Sequence, residues 1–154
     1  MSKTKFTPIE KSTSSPKVSR APDMLAKDIR MNITHILGTN EDEFSVKSPS
    51  VLAGHCYNAS EVYYHSVDKS IRKKLTPQQM TITVNHDLFD DTVEVSHWFL
   101  KHDNGRIIDL TIDQFDVLSI DIDHEEATGR GFVPPSPCKK SQKLLDALQS
   151  TVNH

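Results

Sequence analysis

A cysteine, a histidine and an aspartate occur in the order Cys56, His97, Asp109. Side chains of these three types can carry out acyl transfer: a thiolate attacks a carbonyl, an imidazole moves the proton, and a carboxylate holds the imidazole in one tautomer. Cys56 lies in Gly54-His55-Cys56-Tyr57, where a loop is expected to become a helix. A thiol at a helix N-terminus meets partial positive charge and unused N–H groups, which favour thiolate and can later donate to an oxyanion. Gly54 gives the backbone room to turn. A cysteine that starts a helix is also commonly a small buried apolar group, so the weight comes from a second feature. His97-Trp98-Phe99-Leu100 opens an apolar strand that runs into His102-Asp103-Asn104-Gly105, a hairpin signal because Asn-Gly accepts the positive φ angles of a tight turn. Counting outward from that turn pairs Asp103 with Arg106 and sets 97–101 roughly against 108–112. Asp109 then falls within about one register step of His97 or its neighbours. The alternative is a surface hairpin whose histidine and aspartate are both solvated.

The elements that must position these groups follow from periodicity. Residues 1–22 hold Pro8, Pro16 and Pro22 among Ser, Thr and Lys, with few large apolar groups, and read as a flexible tail. From Asp23, the residues Met24, Leu25, Ile29, Ile33, Ile36 and Leu37 recur at helical spacing up to Gly38, a natural stop. Thr39 to Gly54 reads as a loop that delivers the chain to Cys56. Ala59, Val62, Tyr63, Val67 and Ile71 then step by three and four, with Lys69, Arg72, Lys73 and Lys74 suited to the far end of a helix dipole and Pro77 closing it. Met80 to Val84 alternates as a half-buried strand; Val93 to Lys101 and Arg106 to Thr111 form the two arms of the hairpin. Val117 to Ile122 alternates again, as a strand or an edge segment. After a Gly-Arg-Gly and proline-rich loop, Ser141 to Val152 reads as a closing helix. The expectation is an α+β domain over 23–154, with the Cys56 helix packed on about four antiparallel strands.

Composition narrows the function classes. A chain of 154 residues can bury one sizeable core. Its net charge of -3 comes from 18 basic and 21 acidic residues spread along the sequence, so nucleic acid is not an implied partner. No run of about 18 apolar residues and no apolar leader occur, which argues against a membrane span or export and makes the cytoplasm the default. The two cysteines, Cys56 and Cys138, have unlike surroundings and suit free thiols in a reducing compartment. Neither has a second cysteine at zinc-ligand spacing, and the eight histidines are scattered, so no metal and no cofactor are expected. His124-Glu125-Glu126 lacks metalloprotease spacing, and Pro137-Cys138 lacks the rest of a zinc deaminase pattern.

The order of a helix-starting Cys56, a strand-starting His97-Trp98, and then Gly105 with Asp109 and Thr111 resembles the transglutaminase-like branch of the papain-type fold. The longer pattern, Gly-His-Cys-Tyr-x-Ala-Ser-Glu from Gly54, His-Trp-Phe-Leu from His97, Ile-Asp-x-Thr-x-x-Gln-Phe from Ile108 and Gly-Arg-Gly-Phe from Gly129, also resembles small proteins common in bacteriophage and bacterial genomes. The resemblance covers roughly residues 50–150. It implies a helix on an antiparallel sheet and a thioester mechanism with Cys56 as nucleophile, His97 as base and later acid, and Asp109 as orienter. It departs from the pattern in two places: no Gln precedes Cys56 as an oxyanion donor, and Leu110 stands where Pro is usual. The second oxyanion donor therefore stays open: Gln114, within the matching stretch from Asp109 to Phe115, is favoured over Asn58, and a structural role for Gln114 is the alternative. Tyr57 reads as helix packing or a cleft wall, Trp98 as core or a wall beside the triad, and Cys138 as incidental. His55, adjacent to the nucleophile along the helix, points elsewhere. The expected substrate is a peptide or small amide, or a host protein if the chain is phage-encoded. The competing expectation is an inactive binding module that sequesters a host factor.

Overall fold

The computed structural model describes residues 17–38, 55–86, 91–116 and 120–152. Its first element is a two-residue strand, β1 (Val18–Ser19), followed by helix α1 (Met24–Leu37). Asp23 caps α1: its side chain accepts from the N–H of Ala26 at 2.9 Å, satisfying one of the donors that a helix start leaves free. Gly38 ends the helix at φ 80, a left-handed conformation in which a Cβ is disfavoured. Helix α2 (Cys56–Ser66) and a short turn of helix, α3 (Lys69–Arg72), come next.

The single long helix expected up to Pro77 is instead broken after Ser66. Val67 is extended (φ -76, ψ 159), and the chain turns back so that the Arg72 guanidinium donates to the carbonyls of Tyr64, His65 and Val67 at 3.0, 3.1 and 3.3 Å. Arg72 thus supplies the donors that the last turn of α2 lacks, from beyond the break.

Pro77 lies inside a strand, β2 (Leu75–His86). It pairs with Leu100 of β3 (Asp91–His102), and its carbonyl accepts from Arg130 on the opposite side at 2.9 Å. Its missing N–H therefore faces away from the β2–β3 ladder, where proline is tolerated. The hairpin between β3 and β4 (Ile107–Ile108) turns as expected at Asn104-Gly105. The Gly105 N–H donates to the His102 carbonyl at 2.9 Å, and Gly105 has φ 92. The returning arm is regular for only two residues, where six were expected. It then turns into α4 (Asp113–Asp116), an element that sequence periodicity does not signal. A 3-10 turn (His124–Glu126), strand β5 (Thr128–Gly129) and helix α5 (Lys139–Val152) complete the order.

The five strands form one sheet in the order β1-β4-β3-β2-β5. It is mixed, because β1 runs parallel to β4 while the other pairs are antiparallel; the expectation of four antiparallel strands is corrected accordingly. The N–H groups of Ile107 and Asp109 would have no acceptor on this edge without the carbonyls of Lys17 and Ser19, at 2.8 and 2.9 Å. The 1–22 stretch read as a flexible tail therefore contributes an edge strand; residues 1–16 lie outside the described residues, as do the 39–54 loop and residues 117–119 of the expected 117–122 strand.

Phe99 and Leu100, both 0 % exposed, point to opposite faces of β3, as neighbours on a strand must. Leu100, Ile108 and Leu110 meet Ala26, Ile29, Ile33, Val62 and Leu144 from α1, α2 and α5. Phe99, Val95, Met80, Ile82 and Ile107 form a second layer with Phe115, Ile120 and Ile122 on the other face. Coverage on both faces explains the unbroken apolar run after His97. Among the described residues no helix is long and apolar enough to cross a membrane.

Candidate functional site

Cys56 opens α2, and His55 is the N-cap residue, with no side chain capping that helix end. The His55 ring instead donates from Nε2 to the Gly38 carbonyl at 2.9 Å, tying the end of α1 to the start of α2. Burial, only partly offset by that bond and reinforced by the charge of Lys140, lowers the His55 pKa and favours the neutral ring. Its Nε2 is thereby occupied. The Cys56 side chain is 6 % exposed, and its S–H donates to the backbone carbonyl of Ser96 at 3.6 Å. The nucleophile candidate therefore sits beside the residue that precedes His97.

His97 and Asp109 are both 0 % exposed. Nε2 of His97 donates to Oδ2 of Asp109 at 2.7 Å, a charge-assisted length. The observed register, Leu100 with Ile108 and Lys101 with Ile107, sets Asp109 one position past β4, across from Phe99 and diagonal to His97 on the same face. The pairing inferred from the turn is thus off by one residue, yet the two side chains meet, because diagonal neighbours on one face are within reach. Burial disfavours a charged His97, but the charge and hydrogen bond of Asp109 outweigh it, the Cys56 sulfur acts in the same sense, and the pKa rises to about 10. For Asp109, burial likewise opposes ionisation, while His97 and the hydrogen bonds from His124 and His97 overcome it and lower the pKa to about 2. Both shifts favour the imidazolium and carboxylate form of the pair. Nδ1 of His97 is buried with no partner at hydrogen-bonding geometry. It is the nitrogen left for the Cys56 sulfur once Nε2 is committed.

Several elements hold the Asp109 corner. Arg30 of α1 forms a two-point pair with Asp113, at 2.7 and 3.0 Å, and also donates to the Leu110 carbonyl at 2.7 Å; Arg20 adds a third contact to Asp113 at 3.4 Å. Phe115 of α4 stands edge-on to the His97 ring, with centroids 4.8 Å apart.

The other sequence candidates go elsewhere. Gln114 is buried and donates to Thr111 Oγ1 at 3.3 Å. Asn58 gives its amide to Ser141 Oγ and Cys138 Sγ, at 3.0 and 3.3 Å, and so fastens α2 to α5. Tyr57 accepts from the N–H of Val133 at 2.8 Å. Its ring packs edge-on against Trp98 and Phe132, and Trp98, 9 % exposed, stacks on Phe132. None of these bonds involves Cys56. Cys138 is a free thiol whose N–H donates to the buried Glu61 carboxylate at 3.1 Å.

His124 is the site residue that sequence reasoning missed. Its Nε2 donates to the same Asp109 oxygen at 2.9 Å, and its ring lies edge-on to Phe99 at 4.8 Å. It comes from an acidic stretch without helical or strand period, so only its residue type marked it. The nearest ring and carboxylate atoms of His97, Asp109 and His124 all fall within 4.8 Å of one another, a spacing that could hold a metal ion. The 2.7 and 2.9 Å separations are, however, hydrogen-bond lengths to one shared oxygen. Ligands around a tetrahedral ion with bonds of about 2.0–2.1 Å stand farther apart, at roughly 3.4 Å. As arranged, the three side chains are a hydrogen-bonded set. No protein-family model, no curated protein and no solved structure matches the chain.

Proposed function

We propose that the chain is a cysteine-dependent hydrolase or acyltransferase of the papain and transglutaminase type, acting on an amide or ester through a thioester. One observation carries this reading: a fully buried His97 gives Nε2 to Asp109 at 2.7 Å and leaves Nδ1 for a sulfur that opens a helix and influences the ring. In the proposed reaction the Cys56 sulfur attacks the carbonyl carbon, and the C–N or C–O bond breaks. The leaving group takes the proton held by His97. Water or an amine then attacks the thioester, His97 receives its proton, and the acyl product leaves as the sulfur is freed. The backbone N–H groups at the start of α2, which the side chain of His55 does not cap, are the proposed donors to the oxyanion. Substrates of the right chemistry are peptides, isopeptides, cell-wall fragments and small amides.

A second reading, a binding module without activity that sequesters a host factor, has support in the Cys56 S–H, which is engaged with the Ser96 carbonyl while His97 Nδ1 makes no hydrogen bond. Iodoacetamide alkylation separates the two, with Cys138 as internal control and His97→Ala alongside. For an activated thiol, Cys56 reacts at least about tenfold faster than Cys138 near pH 7. That excess disappears in His97→Ala, and in the unaltered chain it shrinks as pH rises past about 8.5, where an ordinary thiol ionises without help. Equal labelling of the two cysteines in both proteins sinks the enzyme reading in favour of the binding module.

A further inference from the structure

We infer that His124 is a positioning residue that fixes the Asp109 carboxylate toward His97, so that four side chains and not three form the working relay. The inference rests on the acyl-transfer reading for its purpose and on separate geometry for its substance.

Asp109 is 0 % exposed and has no water-facing oxygen to anchor it. A carboxylate free to rotate would present either oxygen to His97. Here Oδ1 has no partner, while Oδ2 accepts from both imidazoles, at 2.7 and 2.9 Å. An acceptor-only carboxylate oxygen at these distances requires a proton on each facing nitrogen, so both rings are fixed as Nε2–H donors. A third charge that could do the same work, Arg30, is committed to Asp113 and the Leu110 carbonyl.

The His124 ring is itself held. Asp123 caps its turn by accepting from the Glu125 N–H at 3.1 Å, and Phe99 stands edge-on against it. Phe99 is two residues from His97 on β3, so the strand that carries the base also braces the residue that braces its partner. Removing the His124 donor leaves Oδ2 with one hydrogen bond in a site closed to water. A carboxylate so deprived directs its charge at His97 alone and is free to turn, which shifts the proton affinity of His97 and loosens the placement of its ring toward Cys56.

The experiment uses the full chain, with His124→Phe, which keeps a packed ring without a donor, and His124→Gln, which keeps an amide donor. The readouts are the ring-nitrogen NMR signals of His97 across pH and the rate of Cys56 alkylation. In His124→Phe, the proton affinity of His97 shifts at least about tenfold and the alkylation rate near pH 7 falls at least about tenfold; in His124→Gln most of both returns. The inference is overturned if folded His124→Phe leaves the His97 titration where it was, or if folded His124→Gln loses as much as the phenylalanine variant. It is also overturned if the purified chain holds one equivalent of zinc that His124→Phe releases, since the three residues would then be ligands. Should His124→Phe not fold, the His97 titration in His124→Gln decides alone: near the original position supports the inference, well away from it does not. The NMR readout does not depend on cysteine chemistry, so a Cys56 that proves indifferent to His97 removes the acyl-transfer reading without deciding the role of His124.

Discussion

His97 and Asp109 exchange a buried hydrogen bond for two opposite displacements in proton affinity, and the pair therefore links folding to pH from both sides. His97 titrates near 6.5 when unfolded and at about 10 when folded; its contribution is complete below about 6.5 and disappears as pH rises through about 10. Asp109 titrates near 3.9 when unfolded and at about 2 when folded, so its contribution is complete above about 3.9 and is lost as pH falls through about 2. Asp109→Asn leaves a buried histidine without its countercharge, a change that costs about 3–5 kcal/mol when a buried pair is broken. Thermal melts should find the gap between the two proteins widest from about pH 4 to 6.5 and narrowing beyond either limit; a gap that ignores pH would mean that Asp109 acts by packing alone. At this scale the sequence was informative wherever chemistry coincided with a strong local signal. Asn104-Gly105 locates a turn, and a turn locates His97 and Asp109 to within a residue. His124 had no such support, because its reach to Asp109 depends on how an aperiodic segment crosses the sheet.

Among the elements, the long ones were legible and the short ones were not. Helix α1 announces itself through Asp23, a three-and-four apolar step and Gly38, and the structure reproduces those limits. Helix α2 was read too long because Val67 and Ile71 continue the same step, whereas the break at Val67 is stabilised by a side chain, Arg72, that periodicity cannot weigh. Strands β1, β4 and β5 each have two residues, too few to display any alternation. Strand β1 matters most for the site, because Ser19 accepts the backbone N–H of Asp109 itself at 2.9 Å. A chain that begins at Asp23 loses this acceptor and that of Lys17, leaving two N–H groups at buried positions unsatisfied. It should be less stable than a chain beginning at Lys17 by about 2–4 kcal/mol in denaturant melts and should lose the selective alkylation of Cys56. Equal stability of the two chains would show that solvent replaces β1 without cost.

Across the whole molecule, the sheet is covered on both faces, and the proposed nucleophile lies at a junction of chain segments far apart in sequence. Glu61, 0 % exposed, is the chief fastening. Its carboxylate accepts from Ser136 Oγ at 2.6 Å and from the Cys138 N–H at 3.1 Å, and these donors, with Ser141, keep it ionised although burial opposes that. Glu61→Ala should cost about 2–4 kcal/mol through the donors it leaves unpaired. Glu61→Gln should cost less, and both should slow Cys56 alkylation if the seat of α2 governs the thiol; a stable alanine variant with full reactivity would remove that link. Fold class and the helix-on-sheet plan were readable because they follow from long periodic stretches. The α2–α5 fastening was not, since a glutamate on an amphipathic helix ordinarily faces water. Its consequence concerns the time at which the chain becomes reactive. Cys56, His97 and Asp109 all leave the ribosome before Ser136, Cys138 and Ser141, so during synthesis the thiol exists for some eighty residues of further growth, by chain order, without the clasp that seats its helix. On the proposed reading, a thiol governed by that clasp becomes reactive only once the last helix has been made.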